Sequence, residues 1–215
     1  MIIEETRGGG KTFLTILATT GKLHQKVDEG TEGAIKRDII DKKTQEVTGT
    51  KFELQHDAVS GIIEGISIVE VNFGGGRKGK NLQIEMEDET ISTSVDGVFG
   101  ERILAILPNV DLSKPVKFKP YEAFITGDGT PRKAGITLYQ DDEKVKNYYR
   151  DFEAKKDLHG IPEAKKDEDG DWIPSFKKRN QFMRKELEKL SVYKKVEEKP
   201  QEKVELSKDD LNEKF

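Results

Sequence analysis

Apolar and polar residues alternate with a period of two over much of the first 150 residues, and that period predicts strands. Residues 12–18 (TFLTILA) are apolar on both faces, which suits a strand in the middle of a sheet. Residues 51–58 alternate: Phe52, Leu54, His56 and Ala58 fall on one face, Lys51, Glu53, Gln55 and Asp57 on the other. Residues 62–73 read as a longer strand, with Gly65 inside it as the place for a bulge or bend. Leu82, Ile84 and Met86 alternate with Gln83, Glu85 and Glu87, and Ile91, Thr93 and Val95 follow beyond the turn at Asp88-Glu89. The Gly-rich run 74–80 (GGGRKGK) lies between two such strands and reads as a flexible hairpin tip. Residues 98–107 change period. Ile103 and Leu107 are one helical turn apart, and Pro108 stops the run, so a short helix is predicted. Residues 116–121 return to a strand, 127–131 (GDGTP) form a turn, and 134–140 with 144–149 make a second hairpin across Asp141-Asp142.

Seven or eight short strands with one small helix predict an all-β barrel or sandwich. A five-stranded Greek-key barrel of the oligonucleotide/oligosaccharide-binding (OB) type, with elaborations, fits the length. Three regions follow: an OB-like β-barrel domain over 1–152, a charged connector and amphipathic helix over 153–195, and a flexible acidic tail over 196–215. In the second, Phe176, Met183, Leu187 and Leu190 lie on one helical stripe, and Ser175 is a fair N-cap after Pro174. The tail holds seven acidic and four basic residues with no periodic apolar face, so disorder in isolation is expected.

Composition narrows the function classes. Charged residues make up 36% of 215, which leaves room for one modest core. With no Cys, disulfides, Cys-ligated zinc, iron–sulfur clusters and thiol nucleophiles are all excluded. No run is long and apolar enough for a transmembrane helix, and the start (MIIEE) has neither a basic nor an apolar leader segment, so a cytoplasmic protein is expected.

Motif candidates mostly fail on their own terms. Gly8-Gly9-Gly10-Lys11-Thr12 resembles a phosphate loop, but the first glycine that such a loop requires is Glu5, and a strand-like run follows where a helix should start. Asp167-Glu168-Asp169-Gly170-Asp171 resembles the start of a calcium loop, yet Trp172 stands at its glycine position and Lys178 at its final glutamate. The three histidines, His24, His56 and His159, are far apart and have no metal-ligand spacing. No nucleophile motif occurs. No enzyme, cofactor or metal is expected.

What persists is cationic residues interleaved with aromatics. Residues 114–150 carry eight positive and five negative side chains, in a chain whose net charge is −4. Cations track phosphates and flat rings stack on bases of any identity, so this combination points to single-stranded nucleic acid. The phosphate candidates are Arg77, Lys78, Lys80, Lys117, Lys119, Lys144 and Lys146; the stacking candidates are Tyr139, Tyr148 and Tyr149. Tyr148 and Tyr149 are neighbours and should point to opposite faces, so one of the pair is expected to stack. In the tail, Asp209, Asp210, Leu211, Glu213 and Phe215 form an apolar-plus-anionic hook for partner proteins, whose carboxylates would also compete with DNA for the basic surface.

Residues 106–116 (ILPNVDLSKPV) leading into Phe118-Lys119-Pro120-Tyr121, then 135–140 (GITLYQ) and 144–149 (KVKNYY), resemble the single-stranded DNA-binding proteins of tailed bacteriophages. The resemblance runs over most of residues 12–195 and takes in the acidic, Phe-terminated tail by type, although Lys203, Lys208 and Lys214 dilute its charge. It implies an OB-type barrel and sequence-independent binding of single-stranded DNA during replication and recombination in the host cytoplasm. It also implies recruitment of a polymerase, helicase or primase through the tail. Homo-oligomerisation is compatible with it. A rival reading from the residues alone is a scaffold protein that docks or oligomerises through the 175–195 helix, and a third is an RNA-binding OB protein.

Overall fold

The structure, a computed structural model, describes residues 10–40, 44–72, 78–127, 129, 131–163 and 176–195. The chain is mainly β. A seven-stranded mixed sheet is built from β1 (Thr12–Leu17), β2 (Lys22–Val27), β3 (Ile35–Ile40), β4 (Val47–His56), β6 (Gly65–Asn72), β7 (Lys78–Glu85) and β8 (Glu89–Ser94), in the order β3-β4-β2-β1-β8-β7-β6. All neighbours are antiparallel except β1 and β8. A smaller antiparallel sheet joins β5 (Val59–Gly61), β9 (Val116–Tyr121), β12 (Gly135–Gln140) and β13 (Glu143–Lys144) in the order β13-β12-β9-β5. Two ribbons, β10 (Phe124–Ile125) with β11 (Pro131–Arg132) and β14 (Arg150–Asp151) with β15 (Lys156–Asp157), complete the described strands. Neither larger sheet closes on itself. Of the expected mainly β, OB-like Greek-key barrel, the mainly β character is seen as two open sheets, with β3 and β6 the outer strands of the larger one.

Register explains the core. Leu14, Ile91, Ile84 and Ile66 face one another across β1, β8, β7 and β6, and all are buried. Val116, Phe118, Ile136 and Leu138 supply the inward face of the small sheet. Helix α1 (Val98–Ile106) fills the space between, packed against β12, β8 and a second helix, α2 (Phe176–Leu187). Phe99, Ile103, Leu104 and Ile106 are all buried, because α1 is covered from several sides at once. It ends in a short 3-10 turn, Leu107–Asn109, where Pro108 denies a further helical donor.

Helix α2 packs in cis. Met183 and Leu187 belong to the same core cluster as the sheets, and the buried Asn180 donates to Glu101 of α1 at 2.7 Å. Beyond α2 the chain runs alongside β6. Ile66 N–H donates to the Val192 carbonyl at 2.9 Å, and Lys194 N–H donates to the Ile66 carbonyl at 2.7 Å. Among the described residues no helix is long and apolar enough to cross a membrane.

Several strand readings change. Residues 62–64 lie outside β6, so the expected strand over 62–73 begins at Gly65. The 144–149 strand shortens to β13, because Tyr148 leaves the sheet to donate its N–H to the Ala105 carbonyl at the end of α1. On β4, Leu54 and His56 do oppose Gln25 and Leu23, yet both are only half-buried, and Glu53 on the opposite face is the buried residue. On β1, Leu14 and Ile16 are buried while Phe13 is 46% exposed, so the strand is central but covered on one face only.

Candidate nucleic-acid interface

Alternation along β9 and β12 sends Phe118, Ile136 and Leu138 inward and leaves Lys117, Lys119, Thr137 and Tyr139 on the outer face. Register then places these side chains together. Tyr139 pairs with Lys144 on β13 and with Lys117 on β9, and Lys117 pairs with Ser60 on β5. Directly opposed residues share a face, so Lys144, Tyr139, Lys117 and Ser60 form one row across the whole sheet. Thr137 and Lys119 form the next row. The three lysines are exposed, and none makes an ion pair with a described residue; Tyr139 is half-exposed between two of them. The β12–β13 turn is made by Asp141 and Asp142, with φ of 51° and 61°. Asp tolerates this left-handed pair, which matches the twist of a two-residue hairpin. The turn is braced by Lys114, whose ammonium meets Asp141 at 2.7 Å.

Beside this face lies an open depression of about 630 Å³, lined by Asn109, Gln140, Asp141, Glu143, Lys144, Val145 and Lys146. Gln140 holds its wall: the side-chain carbonyl accepts from Asp111 N–H at 2.9 Å, and the amide donates to the Asp111 carbonyl at 2.8 Å. Asn109 donates to the Lys146 carbonyl at 3.1 Å, which fixes the backbone that carries exposed Lys146. Four of the expected cations, Lys117, Lys119, Lys144 and Lys146, therefore lie on or next to one surface with Tyr139.

The other candidates separate from it. Lys78 and Lys80 sit on β7 of the large sheet, each 4.0 Å from Glu70 on β6, so that carboxylate offsets their charge. Arg77 and the tail residues Asp209, Asp210, Leu211, Glu213 and Phe215 lie outside the described residues. Tyr149 is corrected: it is 2% exposed, edge-on to Phe182 of α2 and to Tyr148, and its face is unavailable to a base. Burial pushes its phenol up to about 12. Tyr148 is half-buried and already stacked on His159, with ring centroids 3.7 Å apart and planes 10° apart. Sequence reasoning missed His159 as an aromatic partner and Ser60 and Thr137 as members of the outer face, because only strand register reveals them.

A second polar constellation lies on the large sheet. The Thr20 hydroxyl is hydrogen-bonded to His24 Nε2 at 2.8 Å, and His24 Nδ1 donates to Glu53 Oε2 at 2.8 Å. The order hydroxyl, imidazole, carboxylate is that of a nucleophile relay. Arg37, however, grips both carboxylate oxygens at 2.6 and 2.8 Å, and its guanidinium is the main cause that brings Glu53 down to about 2. The network ties β2, β3 and β4 together, and we read it as a cross-brace.

Comparisons with protein-family models, with curated proteins and with solved structures found no match to this chain.

Proposed function

We propose that this chain is a non-enzymatic, sequence-independent single-stranded DNA-binding protein of the tailed-phage kind, which holds the strand on the outer face of the small sheet. The observation that carries the reading is the row Lys144–Tyr139–Lys117, where an aromatic ring is flanked by cations that have no acidic partner among the described residues. Phosphates would follow the lysines while a base stacks on Tyr139. We take the β domain, in the same proposal, as an OB-like Greek-key barrel. That reading is supported by the meeting of the two sheets where β2 touches β9, and by α1 set between β8 and β12.

The scaffold reading is weakened by α2, whose apolar stripe is already used by its own core. Recruitment of a polymerase, helicase or primase by the tail follows from the resemblance. Binding of the whole chain to a labelled dT oligonucleotide is measured by fluorescence anisotropy across a salt series, with a matching rU oligonucleotide and a chain ending at Lys195. Salt-sensitive dT binding that tightens on truncation supports the surface and the tail's competition for it. Absence of binding by both forms at low salt overturns the proposal.

A further inference from the structure

The β14–β15 ribbon carries a second arrangement of flat and cationic groups. Its pairing extends past the two strands: Leu158 N–H donates to the Tyr149 carbonyl at 2.9 Å, so Tyr148 and His159 fall opposite one another at the next position. That placement explains their parallel stack. Tyr148 and Arg150 flank Tyr149, which is buried against α2, and Phe152 follows in the turn beyond β14. The Arg150 guanidinium lies 5.7 Å from the centroid of the Phe152 ring. Phe152 is 63% exposed, and His159 is exposed as well. A large apolar ring left in water beside a guanidinium, and a second ring backed by a tyrosine, are both prepared to receive a planar group.

The ribbon is rigidly seated. Asp157 accepts from Arg179 of α2 at 2.9 and 3.1 Å and from Arg150 at 3.4 Å, and the two arginines hold its carboxyl below the usual range. Buried Tyr149 anchors it from beneath.

We infer that this side of the ribbon is a second base-stacking subsite for single-stranded DNA, with Phe152 and His159 as the platforms; Arg150, paired with Asp157 at 3.4 Å, backs the Phe152 ring. The inference rests on the DNA-binding reading proposed above and extends it to residues outside the small sheet. Tyr148 acts here as the backing of His159, which assigns it a positioning role in place of a direct contact.

The test uses the full chain and a dT oligonucleotide carrying 5-iodo-deoxyuridine. Photocrosslinking followed by peptide mass spectrometry is expected to place adducts on Phe152 or His159. Phe152→Ala and His159→Ala are each expected to weaken binding roughly 5- to 100-fold without changing the salt slope, since a ring and not a phosphate contact is lost. His159 has φ of 53°, so replacement by Ala also strains the backbone. His159→Phe meets the same strain but keeps a flat ring, and it is expected to bind as wild type. If wild type binds dT but both alanine variants bind equally well and adducts fall elsewhere, the subsite is overturned and the DNA-binding reading stands. If wild type does not bind dT at all, both are overturned.

Discussion

Glu53 carries a consequence for acid stability. Its carboxyl titrates at 4.5 in an unfolded chain and at about 2 in the fold, chiefly through the Arg37 hydrogen bonds. A lowered pKa means that the stabilisation is complete above about pH 4.5 and is lost as pH falls toward 2. The melting temperature of wild type should therefore drop through that window. Glu53→Gln should lose about 3 kcal/mol at neutral pH, because Arg37 and His24 lose their charged acceptor, and it should respond less to acid. Thermal melts from pH 7 to pH 2 check both. Tyr149 differs in kind. Its hydroxyl has no partner among the described residues, so Tyr149→Phe is expected to melt at or above the wild-type temperature. Among the described residues Gly21 is the least replaceable glycine: φ is 59°, and a Cβ there would meet the Glu122 backbone nitrogen at 2.0 Å. Gly21→Ala should cost more than Gly135→Ala, whose Cβ would meet the movable Tyr121 hydroxyl at 2.5 Å; chemical denaturation of the two variants compares them.

At the scale of elements, the outer face of the small sheet makes distinguishable predictions. Lys117→Gln, Lys119→Gln and Lys144→Gln should each flatten the salt dependence of dT binding, by about 0.7 in the log–log slope for each lysine that contacts a phosphate. Tyr139→Ala should cost about 1–3 kcal/mol with the slope unchanged. Anisotropy titrations at several salt concentrations separate the two. Much of this face was legible in the sequence, because alternation along 116–121 and 134–140 puts the lysines opposite Phe118 and Tyr139 opposite Leu138. Helix α1 was legible from its spacing and Pro108. The strands β2 and β3 were not, since KLHQKV and IKRDII carry too little alternation to stand out. Their stability comes instead from neighbours and from the Glu53 network. Tyr149 misled for a related reason: adjacent tyrosines look equivalent until α2, about thirty residues further along the chain, decides through Phe182 which one is buried.

At the scale of the molecule, the last described segment completes what the early strands begin. Met183 and Leu187 enter the same core cluster as Ile66 and Ile84, and residues 192–194 bridge to Ile66 near the start of β6. A chain ending at Lys195 should melt like the full chain. One ending at Leu190 leaves the Ile66 N–H and carbonyl without their partners and should lose on the order of 2–4 kcal/mol. Calorimetry of the two truncations, with light scattering to follow association, is the check. The same contact sets a clock on the ribosome. Strand β6 is finished at Asn72, but the segment that bridges to its Ile66 end arrives only with Lys194, and at about 5–20 residues per second that gap lasts on the order of 6–24 s. Throughout that interval a nascent chain leaves the Ile66 end of β6 open to pairing, so crowded polysomes are where this end of the fold is most exposed to joining the wrong strand.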